Sequence, residues 1–164
     1  MNPAKGKIIV YYGKGEGKTT ASIGHAIRTL GHNKKVVILQ FMKGRQTTGE
    51  YQFLKNLDNL QIHLCGAPGF LKDEESREIH LKKAKEGLEL AHRMLDEKQA
   101  DLLILDEILY AVKFGLLGED DVLELYESWM WPDILGLLLP SASTNTTLMK
   151  RTARGLPSFA DSVE

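Results

Sequence analysis

Cysteine is all but missing from this chain of 164 residues, in which Cys65 stands alone. One thiol excludes an internal disulfide and any cysteine-rich zinc set, so the sequence fits a reducing compartment and Cys65 reads as an inert thiol. Excess charge is missing too: 21 Lys and Arg face 22 Asp and Glu, a formal charge of -1. Proteins that grip nucleic acid or anionic lipid non-specifically carry a basic surplus, so neither is an expected partner. Long apolar runs are also lacking. The N-terminal Met1-Asn2-Pro3-Ala4-Lys5-Gly6-Lys7 leads only into Ile8-Ile9-Val10-Tyr11-Tyr12, too short for a signal-peptide core or a membrane span, and the expected location is the cytoplasm. The histidines at 25, 32, 63, 80 and 92 have no metal-ligand spacing, and no serine, cysteine or histidine nucleophile pattern occurs.

What is present is the material of one α/β domain. Ile8 to Tyr12 is apolar, β-branched and aromatic, as in a strand buried on both faces of a parallel sheet. Thr19 to Leu30 has helical spacing at Ile23, Ala26, Ile27 and Leu30, with Gly31 as its stop. Val36 to Leu39 is a second buried strand, expected parallel to the first through a right-handed crossover. A third strand is expected at Gln61 to Leu64, then a turn at Gly66-Ala67-Pro68-Gly69. The longest helix is predicted from Glu74 to about Glu97, with Ala84, Leu88, Ala91 and Leu95 on its apolar stripe and Asp73, Glu74 and Glu75 suiting its N-terminus. Asp101 to Leu105 forms a fourth strand, Asp120 to Trp129 a helix and Ile134 to Leu139 a fifth strand.

Between the first strand and the first helix lies Gly13-Lys14-Gly15-Glu16-Gly17-Lys18-Thr19-Thr20. Phosphate needs donors that approach closely, and glycines at 13, 15 and 17 let successive amides turn inward unobstructed. The positive end of the following helix adds attraction. Lys18 would reach the outer phosphates and Thr19 would complete magnesium coordination. The general pattern has four residues between its glycines; here Gly13 and Gly17 have three between them, with Tyr12 standing where the earlier glycine would be. The bland reading is a glycine-rich turn with a solvated lysine, and the flanking strand and helix weigh against it. The fold class is therefore α/β, a P-loop NTPase-like three-layer arrangement with a mainly parallel central sheet flanked by helices.

The fourth strand runs into Asp106-Glu107, which delivers carboxylates to the carboxyl edge of the sheet, beside the loop, where magnesium must be held. Gln40, Phe41 and Lys43 follow the second strand and should emerge on that same edge. Phe70, after a Pro-Gly pair, either covers an apolar ligand or plugs the core, and for the residue alone the core is expected.

Taken together, the shortened glycine loop, Gly31-His32, Gln40-Phe41-Met42-Lys43-Gly44, Gly49-Glu50, Gly69-Phe70 and Leu105-Asp106-Glu107 resemble the ATP:corrinoid adenosyltransferases over approximately residues 6 to 127. The one-residue deficit in the loop is a feature of that family. The resemblance implies transfer of the 5′-deoxyadenosyl group from ATP to the Co(I) centre of a reduced corrinoid, with triphosphate leaving. It implies nucleotide contacts from Gly13, Lys14, Gly15, Glu16, Gly17, Lys18, Thr19, Thr20, Gln40 and Lys43. Magnesium falls to Thr19, Asp106 and Glu107, Lys18 and Glu107 carry the catalytic role, and Phe70 lies at the corrin, where it could displace a lower axial ligand. A second aromatic usual in the family is replaced by Leu71-Lys72. A homodimer and a flavodoxin-like or other reductase supplying Co(I) are further implications.

Residues 1–140 make up this expected domain, and 141–164 an atypical tail that opens with the polar tract Ser141-Ala142-Ser143-Thr144-Asn145-Thr146-Thr147. A Thr-Gly-Arg type segment found there in the family is missing, which suggests a truncated or frame-shifted C-terminus. Two other readings stand beside the transferase: a P-loop hydrolase or kinase, and a nucleotide- or corrinoid-binding protein whose turnover the altered tail impairs.

Overall fold

The computed structural model describes residues 7–11, 16–128 and 135–139. Among them lie ten elements: β1 (Lys7–Val10), α1 (Lys18–Leu30), β2 (Val36–Phe41), α2 (Gly49–Leu54), β3 (Leu60–Cys65), α3 (Glu74–Asp96), β4 (Leu102–Asp106), α4 (Ile108–Lys113), α5 (Glu119–Ser128) and β5 (Leu135–Leu139). The strands form one sheet in the order β1-β5-β4-β2-β3, with every neighbouring pair parallel. The first two strands are thus parallel members of one sheet, as expected, but β5 and β4 lie between them. The atypical tail, and the end of the last expected helix at Trp129, fall outside the described residues.

The continuous apolar runs follow from the layering. All six residues of β2 and all five of β4 are buried, and their side chains alternate between two cores. Val37, Leu39, Phe41, Leu103 and Leu105 face a core shared with Ala84, Leu88, Ala91, Met94 and Leu95 of α3, with Ile108 and Leu109 of α4, and with Val122 and Leu125 of α5. Val36, Ile38, Leu102 and Ile104 face the other, completed by Ala26 of α1 and Leu54 of α2. Helices on both faces explain why the inner strands carry no polar alternation.

The stripe expected on α3 is buried throughout. Its start is fixed by a capping box, in which Ser76 N–H donates to Asp73 Oδ1 at 2.9 Å and Asp73 N–H donates to Ser76 Oγ at 3.1 Å. Such a cap contributes about 1 kcal/mol. On α1 the expected stripe is corrected at one position: Ile27 is 53% exposed. Ser22 and Ala26, both small and buried, form the face against the sheet, and Ile27 lies about 100° further round the helix. The short helices α2 and α4 were not expected from the sequence. At six residues each they are too short to show a repeating apolar period, and tertiary packing holds them.

Candidate functional site

Side-chain parity determines what meets at the carboxyl edge. In β2 the residues 36, 38 and 40 share a face, as do 102, 104 and 106 in β4, and both sets turn toward the layer containing α1. Gln40 pairs with Asp106 in the β2–β4 register. Gln40 and Phe41 therefore belong to β2 instead of following it, because the ladder to β4 and β3 continues to the last residue of each partner. Asp106, only 1% exposed, is the point of convergence. Lys43 Nζ donates to its Oδ2 at 2.7 Å, Gln40 Nε2 donates to the same oxygen at 3.1 Å, and Thr19 Oγ1 donates to Oδ1 at 3.3 Å.

Thr19 arrives from the glycine loop. Gly17 caps α1 in the left-handed region at φ 98°, a conformation that other residues adopt only under strain. Lys18, Thr19 and Thr20 then form the first helical turn, whose amides have no intrahelical acceptor and present the positive end of the helix dipole. No acidic side chain occupies that turn. Glu16 and Thr20 are exposed, and Lys18 and Thr19 half-buried. Gly13, Lys14 and Gly15 lie outside the described residues.

Glu107 breaks the strand alternation. It takes a left-handed conformation, φ 63° and ψ 17°, as the N-cap of α4, and its Oε2 is buried without a hydrogen-bond partner. Burial pushes its carboxyl up to about 7 and the neighbouring Asp106 adds to the rise, while Lys43 and Lys18 pull it down. A partnerless carboxylate oxygen beside a second carboxylate is a donor set for a hard cation. No group of three or more His, Cys, Asp or Glu residues gathers among the described residues into an all-protein cage.

Phe70 does not plug the core. It is 80% exposed, at the tip of the loop after β3, and so on the same sheet edge as Lys43 and Asp106. Leu71, in place of a second aromatic, packs against the core shared with α3. Cys65 is buried and its thiol pushed up to about 12 by that burial, which agrees with an inert thiol. Two histidines left without a role have definite places. Tyr11 Oη lies 2.7 Å from His25 Nε2, at the end of β1, and His80 is buried in α3 under the Phe70 loop. Neither spacing nor composition could have singled them out, because each pairs with a partner remote in sequence.

No helix among the described residues is long and apolar enough to cross a membrane. A model of the family described as ATP:corrinoid adenosyltransferase BtuR/CobO/CobP matches residues 4–133. The corrinoid adenosyltransferase of Escherichia coli is 38% identical over 120 residues, covering 73% of this chain and 60% of that protein. That of Pseudomonas aeruginosa is 34% identical over 120 residues, at 73% and 59% coverage, and that of Salmonella typhimurium 34% identical over 119 residues, at 73% and 60%. The chain thus spans about 60% of the length of the curated relatives it matches. With the glycine loop, the Gln40–Asp106–Lys43 cluster and Phe70 all within the matched segment, the chain belongs to the ATP:corrinoid adenosyltransferase family.

Proposed function

We propose that this protein transfers the 5′-deoxyadenosyl group of ATP to the Co(I) centre of a reduced corrinoid and releases inorganic triphosphate. The observation that carries this reading is the meeting of Thr19, from the glycine-loop helix, with Asp106, from the end of β4, at 3.3 Å. It joins a phosphate-binding element to a carboxylate pair at the sheet edge where nucleotides bind in α/β folds. In this reaction the electron pair comes from Co(I), the bond from C5′ to the triphosphate oxygen breaks, and the charge stays with triphosphate. The protein therefore needs no nucleophile of its own, which accords with the lack of a nucleophile pattern in the sequence.

The residues divide the work accordingly. Lys18 and the first-turn amides of α1, with Gly13, Lys14, Gly15, Glu16, Gly17 and Thr20 around them, hold the phosphates and stabilise the leaving group electrostatically. Thr19, Asp106 and Glu107 would hold magnesium, whose charge lowers the cost of the developing negative charge on triphosphate. Gln40 and Lys43 fix the orientation of Asp106 and bring a further cation to the phosphate edge. Phe70, exposed on the same edge, meets the corrin face. Positioning supplies the rest, since cobalt must approach C5′ in line. The family resemblance supports a homodimer and a flavodoxin-like or other reductase as the source of Co(I), and the lone buried thiol is at home in the cytoplasm.

Incubating the protein with ATP, magnesium and chemically reduced cobalamin tests this. A light-sensitive adenosylated product is expected. Saturating substrates that leave the corrinoid unmodified while ATP still binds would sink the proposal and leave a binding protein in its place.

A further inference from the structure

The loop that carries Phe70 is built into its surroundings at several points. A Cβ on Gly44 would fall 2.2 Å from the Ala67 carbonyl carbon, and a Cβ on Gly66 would fall 2.5 Å from the Met42 carbonyl carbon. The backbones of the Lys43 loop and the Phe70 loop are thus in direct contact, and only glycine fits at either position. Behind them, α3 approaches the end of β3 closely at Gly87, where a Cβ would meet Cys65 Sγ at 2.6 Å. Seven residues earlier on the same face of α3 comes His80, 1% exposed, whose Nδ1 accepts the N–H of Ala67 at 3.3 Å. After Phe70, Leu71 is anchored in the core and Lys72 N–H donates to Ser76 Oγ at 3.0 Å.

His80 makes this connection at a cost. Because Nδ1 accepts, the neutral ring carries its proton on Nε2, and Nε2 is buried with no hydrogen-bond partner. Burial holds the imidazole below its ordinary 6.5, while an interaction with the Gly69 backbone pulls it partly back, and the Ala67 N–H contact is what makes Nδ1 the acceptor. A leucine of similar volume would carry no orphaned nitrogen. It would also leave the Ala67 amide, in a residue that is itself buried, without its acceptor. The imidazole is therefore accounted for by what it does to the loop.

We propose that His80 is a positioning residue for corrinoid binding: by accepting the Ala67 N–H it holds the Gly66–Phe70 loop against the Lys43 loop and fixes where Phe70 is presented. This rests on the reading that Phe70 meets the corrin. The test is steady-state kinetics of the full chain with ATP, magnesium and reduced cobalamin, comparing wild type with Phe70→Ala, His80→Leu and His80→Asn. The anisotropy of a Phe70→Trp reporter is measured in each His80 background.

Loss of the acceptor in His80→Leu is expected to raise KM for the corrinoid about tenfold, the size of one hydrogen bond's effect on affinity, with KM for ATP nearly unchanged. Reporter anisotropy should fall. In His80→Asn, whose Oδ1 can replace Nδ1, corrinoid KM and anisotropy should return most of the way. If Phe70→Ala raises corrinoid KM while His80→Leu leaves it unchanged, the role of His80 is overturned and the corrin contact stands. An unchanged corrinoid KM in Phe70→Ala overturns the corrin contact itself. Equal loss of ATP and corrinoid affinity in His80→Leu, without recovery in His80→Asn, reduces His80 to a structural residue. Should His80→Leu not fold, His80→Gln, with its acceptor nearer the Nε2 position, takes its place under the same expectations.

Discussion

Thr19 Oγ1 donates to Asp106 Oδ1 across 3.3 Å, joining two residues 87 positions apart in the chain. The link exists because Gly17 starts α1 in a left-handed conformation and because even-numbered positions of β4 face the α1 layer. Around it, Lys43 and Gln40 donate to the same enclosed carboxylate.

Removing Lys43 takes its ion-pair partner from the Asp106 carboxylate, to which Gln40 and Thr19 still donate as neutral groups. Lys43→Met is expected to lower the unfolding free energy by about 2–3 kcal/mol, somewhat less than breaking a fully enclosed ion pair costs, because the lysine side chain retains 28% exposure. Adding Asp106→Asn removes the stranded charge and should recover part of the loss. Urea unfolding of the single and double variants measures both, and a double variant weaker than the sum of its parts would contradict the pairing.

Glu107 gives a pH signature with a definite sign. Its folded carboxyl keeps its proton up to about 7, whereas the unfolded chain releases it near 4.5. Within that window the folded state binds the extra proton, so raising the pH weakens folding through this group. His63 and His80, both held below 6.5 by burial, act in the opposite sense and penalise folding as the pH falls. The informative quantity is therefore a difference: wild type should lose stability relative to Glu107→Gln as the pH rises from 4.5 to about 7. Parallel stability curves for the two proteins would contradict it.

Two glycines should respond oppositely to alanine. Gly24, in α1, has nothing within 4 Å of a built Cβ, so Gly24→Ala should stabilise by about 0.5–1 kcal/mol through helix propensity. Gly44→Ala drives a methyl into the Ala67 backbone and should cost about 3 kcal/mol, because main chain cannot yield as a flexible side chain does. Thermal melts of the two variants distinguish them by the direction of the shift.

Much of this was legible in the sequence. The inner strands showed as short continuous apolar runs and α1 and α3 by their helical spacing, Lys18 and Thr19 by the glycine loop before them, and Gln40, Lys43 and Asp106 because they stand at or just beyond the carboxyl ends of parallel strands. What stayed hidden depends on pairing across the fold. The left-handed turn at Glu107, the meeting of Gly44 with Ala67 and the imidazole of His80 beneath that loop have no local period. Phe70 was misjudged when taken by itself, since an isolated aromatic carries no sign of whether its loop faces the core or solvent, and it is exposed.

The fate of the phosphates tests the central claim most directly. With phosphate-labelled ATP, magnesium and reduced cobalamin, intact triphosphate should appear in step with adenosylated corrinoid and not without corrinoid. Lys18→Ala should slow its release by about 100-fold or more, as loss of one stabilising donor to a leaving group does. Orthophosphate or ADP formed without corrinoid would contradict the account and make the protein a hydrolase or kinase.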